Sequence, residues 1–121
     1  MAPSNLILGQ QAERLAVAFL KDKGFTILAR NWKNRFEEID IVAENSNLLI
    51  IVEVKARKNK KYGMPYEQVG LKKQRLLVNA AEAYIIKANV HMETRFDIIS
   101  IVFNSNGFEL RHIERAFSPF D

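Results

Sequence analysis

Hydrophobic positions along the chain repeat with two different periods. Over residues 5–23, apolar side chains recur at steps of three and four residues, which predicts an amphipathic helix. Ser4 is suited to cap the start of this helix, and Gly24 is suited to end it. A second pattern of the same kind covers residues 70–87. We therefore predict two helices, one near the start of the chain and one in its second half.

Five shorter segments are rich in β-branched and aromatic residues, and we predict that they form strands. They are residues 25–32, 38–44, 48–56, 95–103 and 108–113. Only Asn45, Ser46 and Asn47 separate the second strand from the third, so these two strands should form an antiparallel hairpin. The order α-β-β-β-α-β-β predicts an α/β fold, with a mixed sheet of about five strands and a helix on each face.

Length and composition favour a single globular domain over residues 1–121. A chain of 121 residues can bury a sizeable core without disulfides, and it contains no cysteine. No apolar run approaches the roughly 18 residues that span a bilayer, and the N-terminus has no basic segment typical of a signal peptide. We therefore expect a cytoplasmic protein that does not insert into membranes.

Charge is distributed unevenly along the chain. Residues 55–75 contain eight basic residues and one acidic residue, a net charge of +7 in a chain whose total is +4. Basic runs are often only solvated loops, but they also bind phosphate backbones. The candidates for nucleic-acid contacts are Arg57, Lys58, Lys60, Lys61 and Lys72. A solvated first helical turn explains Lys73 and Arg75 equally well.

The predicted hairpin brings two acidic residues together. If the turn is a two-residue loop, Asp40 lies opposite Glu53 on the same face of the sheet, with the Cβ atoms about 5 Å apart. Lys55 comes two residues after Glu53 and therefore projects on that face as well. The hairpin thus predicts a cluster of two carboxylates and an ammonium group.

Two neighbouring carboxylates repel each other unless a cation joins them. A hard divalent ion such as Mg²⁺ or Mn²⁺ is suited to this position because it takes oxygen ligands and uses few protein carboxylates. An ammonium group beside the ion can orient an attacking water or stabilise charge on a phosphate. The alternative is a salt-bridged face on an exposed hairpin, because Glu-x-Lys is a common sequence.

Glu13, in the first helix, is a fourth candidate. It lies at the edge of the apolar stripe, so it either adds a carboxylate to the metal site or is an exposed helical glutamate. Periodicity alone favours the exposed glutamate.

An ordered set of short motifs resembles one family of small bacterial proteins. The motifs are Gly9-Gln-Gln-Ala-Glu13, Gly24-Phe25, Ala29-Arg-Asn31, Glu38-Ile-Asp40-Ile-Val-Ala43, Val52-Glu-Val-Lys-Ala-Arg57, Tyr62-Gly63, Lys72 and Arg95-Phe-Asp97. Taken in this order they resemble the YraN family, which is similar to the archaeal Holliday junction resolvases and their PD-(D/E)xK nuclease signature.

The resemblance implies a restriction-endonuclease-like fold and a metal-dependent nuclease that acts on DNA, branched DNA included. Asp40, Glu53 and Lys55 match its metal-binding and catalytic core, and Glu13 matches the acidic residue of the first helix. Mg²⁺ or Mn²⁺ is the expected cofactor, and the symmetric cutting of two strands by resolvases implies a homodimer. Two alternatives stay open: a non-catalytic nucleic-acid-binding module that retains the fold, and a protein-interaction domain, which leaves the charge clusters unexplained.

Overall fold

The described residues form two helices and five strands in the predicted order. The structure is a computed structural model, and it describes residues 5–35, 37–59 and 69–119. The elements are α1 (Asn5–Asp22), β1 (Thr26–Asn34), β2 (Glu37–Asn45), β3 (Leu48–Arg57), α2 (Leu71–Ala88), β4 (Glu93–Asn104) and β5 (Gly107–Phe117). Gly24, at a φ of +91°, follows α1 as predicted, whereas Ser4 lies outside the described residues. In this part of the chain, neither helix has the hydrophobicity needed to span a membrane.

The strands of the described residues form one mixed sheet. Their order in the sheet is β1-β2-β3-β4-β5. Neighbouring strands are antiparallel except β3 and β4, which are parallel. A parallel pair needs a crossover long enough to return the chain to the same end of the sheet, and α2 lies within that crossover. The predicted α/β architecture is therefore confirmed.

The two helices pack on opposite faces of the sheet, so a hydrophobic core lies on each side. In β3, even-numbered residues such as Val52 pack in the core with α1, and odd-numbered residues such as Ile51 pack in the core with α2. Burial on both faces explains why the first half of β3 is almost continuously apolar. Glu53 and Lys55 continue the odd-numbered series, so β3 directs both toward the face that α2 covers.

The turn between β2 and β3 fixes their pairing. Ser46 and Asn47 have φ values of 52° and 62°, which are typical of a type I′ hairpin loop. Asn45 pairs with Leu48 directly across this loop. The predicted two-residue loop and the register that follows from it are therefore confirmed.

A buried carboxylate connects β4 to β5 on the α1 side of the sheet. Asp97 is 1% exposed and accepts two hydrogen bonds of 2.8 Å from Arg95. Nε2 of His112 donates a third at 2.8 Å, and the backbone N–H of Arg115 donates a fourth at 3.0 Å. Burial alone would raise the pKa of Asp97, but these four bonds outweigh it and hold the pKa below its usual value.

The first prediction concerns the substitution Asp97→Asn. It leaves buried donors without an ionised acceptor, so we expect it to lower the free energy of unfolding by about 3 kcal/mol at pH 7. The native pKa is below the unfolded one, so the contribution of Asp97 is present at neutral pH and is lost as pH falls below about 4. Urea unfolding at pH 7 and pH 3.5 measures both effects.

The control for this prediction is Asp22→Asn, which changes an exposed carboxylate at the end of α1. We expect it to alter the stability by less than about 0.5 kcal/mol. Equal stabilities for the Asp97 and Asp22 variants would contradict a stabilising role for the buried carboxylate.

Candidate functional site

Asp40 lies at the point where the pairing of β2 with β3 ends. The paired positions run from Asn45 and Leu48 at the turn to Ile41 and Val52. Asp40 is the next residue along β2, and its Oδ2 accepts a 2.8 Å hydrogen bond from the backbone N–H of Val54. The carboxyl group thus takes the place of a backbone acceptor at the end of the ladder.

The alternation of side chains along β2 breaks at Asp40. Ile39 packs in the core with α2, whereas Ile41, two residues later, packs in the core with α1. On the neighbouring strand, Asn31 has a φ of 50° at the corresponding position. The regular period of two that was expected along β2 therefore does not hold at Asp40.

Asp40 and Glu53 form a hydrogen-bonded pair of carboxyl groups. Glu53 is 3% exposed. The pKa of Asp40 is raised to about 8, chiefly by burial and further by the hydrogen bond and the negative charge of Glu53. The N–H of Val54 and the charge of Lys73 act in the opposite direction but do not cancel it. At neutral pH the pair therefore holds a proton, as closely spaced carboxyl groups do.

Lys73, from the first turn of α2, reaches this pair. Its Nζ lies 3.1 Å from Oε2 of Glu53, although that oxygen accepts no hydrogen bond of good geometry within the described residues. The sequence analysis did not assign Lys73 to the site. A signal was available, because Lys73 comes four residues before Leu77, which is buried against the sheet, and so lies on the inward side of the helix.

Lys55 lies on the same face of β3 as Glu53. The parallel pairing places Glu53 beside Ile98 and Lys55 beside Ser100. Lys55 is partly buried, and the Oγ of Ser100 is buried without a hydrogen-bond partner among the described groups. This hydroxyl group was not singled out in the sequence, since an isolated serine in a strand carries no distinguishing pattern.

Glu13 approaches the site from α1. Its side chain is 13% exposed, so the expectation of an exposed helical glutamate is wrong. Oε1 accepts hydrogen bonds from Nδ2 of Asn31 at 2.9 Å and from Nε of Arg30 at 3.2 Å. Partial burial of Glu13 at the edge of the helical stripe is possible because Arg30 balances its charge and Asn31 donates a further hydrogen bond.

Glu13 and Asp40 line the same open pocket, which has a volume of about 500 Å³. The other lining residues are Leu6, Gly9, Gln10, Asn31, Lys33, Glu38 and Val54. Within the described ranges, no three acidic or histidine side chains come close enough to form a metal-binding cluster. The structure therefore brings Asp40 and Glu53 together and leaves Glu13 as a separate carboxylate at the pocket wall.

The donor set at Asp40 and Glu53 fits a hard divalent cation. Oε2 of Glu53 is buried without a hydrogen bond among the described residues, and the pKa of Asp40 is raised. A divalent cation would bind the first group and favour the ionised form of the second. Mg²⁺ commonly uses one or two protein carboxylates and completes its coordination with water. The residues present are therefore compatible with the predicted Mg²⁺ or Mn²⁺ without a third carboxylate.

The predicted nucleic-acid contacts are described only in part. Arg57 is partly buried at the end of β3, two residues beyond Lys55 and on the same face. Lys58, which follows β3, and Lys72, in the first turn of α2, are exposed. Lys60 and Lys61 lie outside the described residues.

Comparison with known proteins identifies the family. A family model described as "Uncharacterised protein family UPF0102" matches residues 12–101. The chain belongs to the UPF0102 family. A UPF0102 protein of Phocaeicola vulgatus is 45% identical over 111 residues, which are 92% of each chain. One from Persephonella marina is 43% identical over 112 residues, 92% of this chain and 93% of the relative.

UPF0102 is the YraN family, so the resemblance inferred from the motifs is confirmed. Among solved structures, this UPF0102 chain is similar to Hjc, a Holliday junction resolvase of Archaeoglobus fulgidus. The TM-score is 0.53 at 21% sequence identity, over 88% of this chain and 76% of the resolvase. The similarity establishes the restriction-endonuclease-like fold.

The second prediction follows from the raised pKa of Asp40. Between the unfolded pKa of about 3.9 and the native value, the folded protein holds a proton that the unfolded chain releases, so this group's contribution to stability decreases as pH rises. Asn mimics the protonated acid and does not titrate. We therefore expect the stability of Asp40→Asn relative to the wild type to increase as pH rises from 5 to 8, on the order of 1 kcal/mol per pH unit.

Urea unfolding in the presence of a chelator, at three pH values, measures this difference. Glu82→Gln, which changes an exposed carboxylate of α2, is the matched control and should show a constant difference. A pH-independent difference for Asp40→Asn would contradict a shared proton at the pair.

Proposed function

We propose that this protein is a metal-dependent nuclease that hydrolyses DNA phosphodiester bonds. The observation that carries the proposal is the pair of hydrogen-bonded carboxyl groups of partly buried Asp40 and buried Glu53, at the point where the pairing of β2 with β3 ends. A folded protein keeps two carboxyl groups in such a position at a cost in electrostatic energy, and sites with pKa values perturbed in this way are characteristic of function. The restriction-endonuclease-like fold supports the choice of reaction.

Each candidate residue has a distinct role in this proposal. Asp40 and Glu53 hold Mg²⁺ or Mn²⁺, and Glu13 assists through a water molecule from the pocket wall. Bound there, the metal would lower the pKa of a coordinated water and neutralise charge on the phosphate. Lys55, on the same face as Glu53, orients the attacking water.

Basic residues around the site hold the DNA backbone. Arg57 continues the face of β3 that carries Glu53 and Lys55, and exposed Lys58 and Lys72 extend the positive surface. We assign Lys60 and Lys61 to the same role from the sequence. The similarity to a Holliday junction resolvase supports branched DNA as the first substrate to test, and a homodimer would present two such sites to two strands.

The third prediction is metal-dependent cleavage. Purified protein with Mn²⁺ should cut branched DNA, measured with end-labelled four-way junctions and linear duplexes on denaturing gels. We expect Asp40→Asn and Glu53→Gln each to reduce the rate by at least about 100-fold, because either change removes a ligand of the metal. Glu82→Gln, on the exposed side of α2, should retain the wild-type rate.

Absence of cleavage on every substrate, or equal rates for the wild type and both site variants, would contradict the nuclease proposal. Binding of Mn²⁺ is measured in parallel, so that a wrong choice of DNA structure is distinguished from an absent metal site.

A second candidate function is a nucleic-acid-binding module that retains the fold without turnover. The observation that favours it is the separation of Glu13 from the carboxyl pair: within the described part of the chain the acidic residues do not form a three-ligand cluster. This function requires DNA binding that is independent of divalent metal, and no cleavage.

The fourth prediction concerns DNA binding, which both functions require. Binding should weaken with salt, and the slope of log K against log salt concentration should decrease by about 0.9 for each phosphate-contacting cation removed. Lys72→Ala and Lys58→Ala are the test variants, and fluorescence anisotropy at four salt concentrations gives the slopes. Lys87→Ala, at the other end of α2, is the control. Unchanged slopes for Lys72→Ala and Lys58→Ala would contradict the proposed DNA surface.

A further inference from the structure

We infer that Lys73 is a built-in counter-ion of Glu53, and that a divalent metal must displace it in order to enter the site. The inference rests on the proposed function, since it describes how the metal site is filled. It gives a role to a residue of α2 that belongs to neither the hairpin nor the first helix.

The geometry of the ion pair is asymmetric. Nζ of Lys73 lies 3.1 Å from Oε2 of Glu53, whose side chain is 4% exposed, whereas the side chain of Lys73 is 36% exposed. The side chain of Lys73 therefore covers the buried carboxylate of Glu53, while part of the lysine side chain is exposed to solvent. An ammonium group in this position can leave without any rearrangement of the core.

The contact is electrostatic rather than a directed hydrogen bond. Oε2 of Glu53 is buried and accepts no hydrogen bond within the described residues, although the lysine is close enough to form an ion pair. Lysine is a compact charge on a flexible four-carbon stem, which suits a contact that has to be broken and formed again. The oxygen thus retains the lone pairs that a metal ion would use.

A metal ion and the ammonium group compete for the same oxygen. A Mg²⁺–oxygen bond is about 2.1 Å long, and Nζ of Lys73 lies 3.1 Å from Oε2. An ion bound to Oε2 would therefore lie within about 5 Å of that nitrogen. Two positive charges this close repel each other strongly in a partly buried site. Lys73 must therefore move away when the metal binds, while the first turn of α2 keeps it near the site.

Lys55 does not have this role. It lies on β3 beside Ser100, two residues from Glu53, whereas the described ion pair of Glu53 is with Lys73. The two lysines approach the carboxylate from different elements, so their substitution should have different consequences. Lys73 governs entry of the metal, and Lys55 acts after the metal is bound.

The fifth prediction is that removal of the charge at Lys73 strengthens metal binding. Free Mn²⁺ is quantified by its electron paramagnetic resonance signal in titrations at pH 7.5, without DNA. We expect Lys73→Met to lower the Kd for Mn²⁺ by about threefold to tenfold, because the metal no longer displaces a cation. Lys73→Arg keeps a competing charge and should bind within about twofold of the wild type.

The matched control is Lys87→Met, an exposed lysine in the last turn of the same helix, which should leave the Kd unchanged. Lys73→Gln is the second neutral variant, and circular dichroism verifies the fold of each. Equal or weaker Mn²⁺ binding by both neutral variants would overturn the inference and leave the metal site in place. The inference would also be overturned if Lys73→Arg strengthened Mn²⁺ binding as much as the neutral variants do.

A different result would identify failure of the proposed function itself. If the wild type does not bind Mn²⁺, or if Asp40→Asn binds it as well as the wild type does, the metal site and the counter-ion role are both wrong. Tighter binding in the neutral Lys73 variants, lost when Asp40→Asn is added, would support both.

Discussion

Two neighbouring carboxyl groups, one buried and one partly buried, impose the constraint on which the site depends. Asp40 and Glu53 are hydrogen-bonded to each other, and Glu53 is almost completely buried. Two negative charges at this separation are unfavourable unless positive charge is supplied. The protein supplies it in two ways, as a proton shared by the pair and as the ammonium group of Lys73. A divalent metal would replace both with one ion, and this is the physical basis of the proposed function.

The fold maintains this pair by combining a fixed turn with an interrupted ladder. The type I′ loop sets the register of β2 and β3, and in that register the apolar residues between the loop and the site fill the two cores on either side of the sheet. The ladder then ends at Asp40, whose carboxyl group accepts the N–H of Val54. The carboxyl group of Asp40 therefore both satisfies the backbone N–H of Val54 at the end of the β2–β3 ladder and interacts with Glu53.

The two helices have complementary roles beyond covering the sheet. α1 brings Glu13 to the pocket wall, where it pairs with Arg30 and accepts a hydrogen bond from Asn31, and α2 brings Lys73 to Glu53. Among the described basic residues, Lys58 is exposed just after β3 and Lys72 is exposed in the first turn of α2. The other buried carboxylate described, Asp97, is saturated by four hydrogen bonds and lies toward α1, which suits a structural role. A saturated carboxylate has no capacity for a further ligand, unlike Glu53.

The sequence by itself determined the order of elements, the mixed sheet, the hairpin register and the family, because these depend on local periodicity, turn residues and ordered motifs. It also indicated that Asp40 and Glu53 are neighbours, since the two-residue loop sets the register of their strands, and strand alternation placed Lys55 on the face of β3 that carries Glu53. Only the tertiary structure decided the partial burial of Glu13, the break in alternation at Asp40 and the contact of Lys73 with Glu53. The helical period places Lys73 on the inward side of α2, but it does not identify the strand residue that Lys73 contacts, because that depends on how the helix packs against strands distant in sequence.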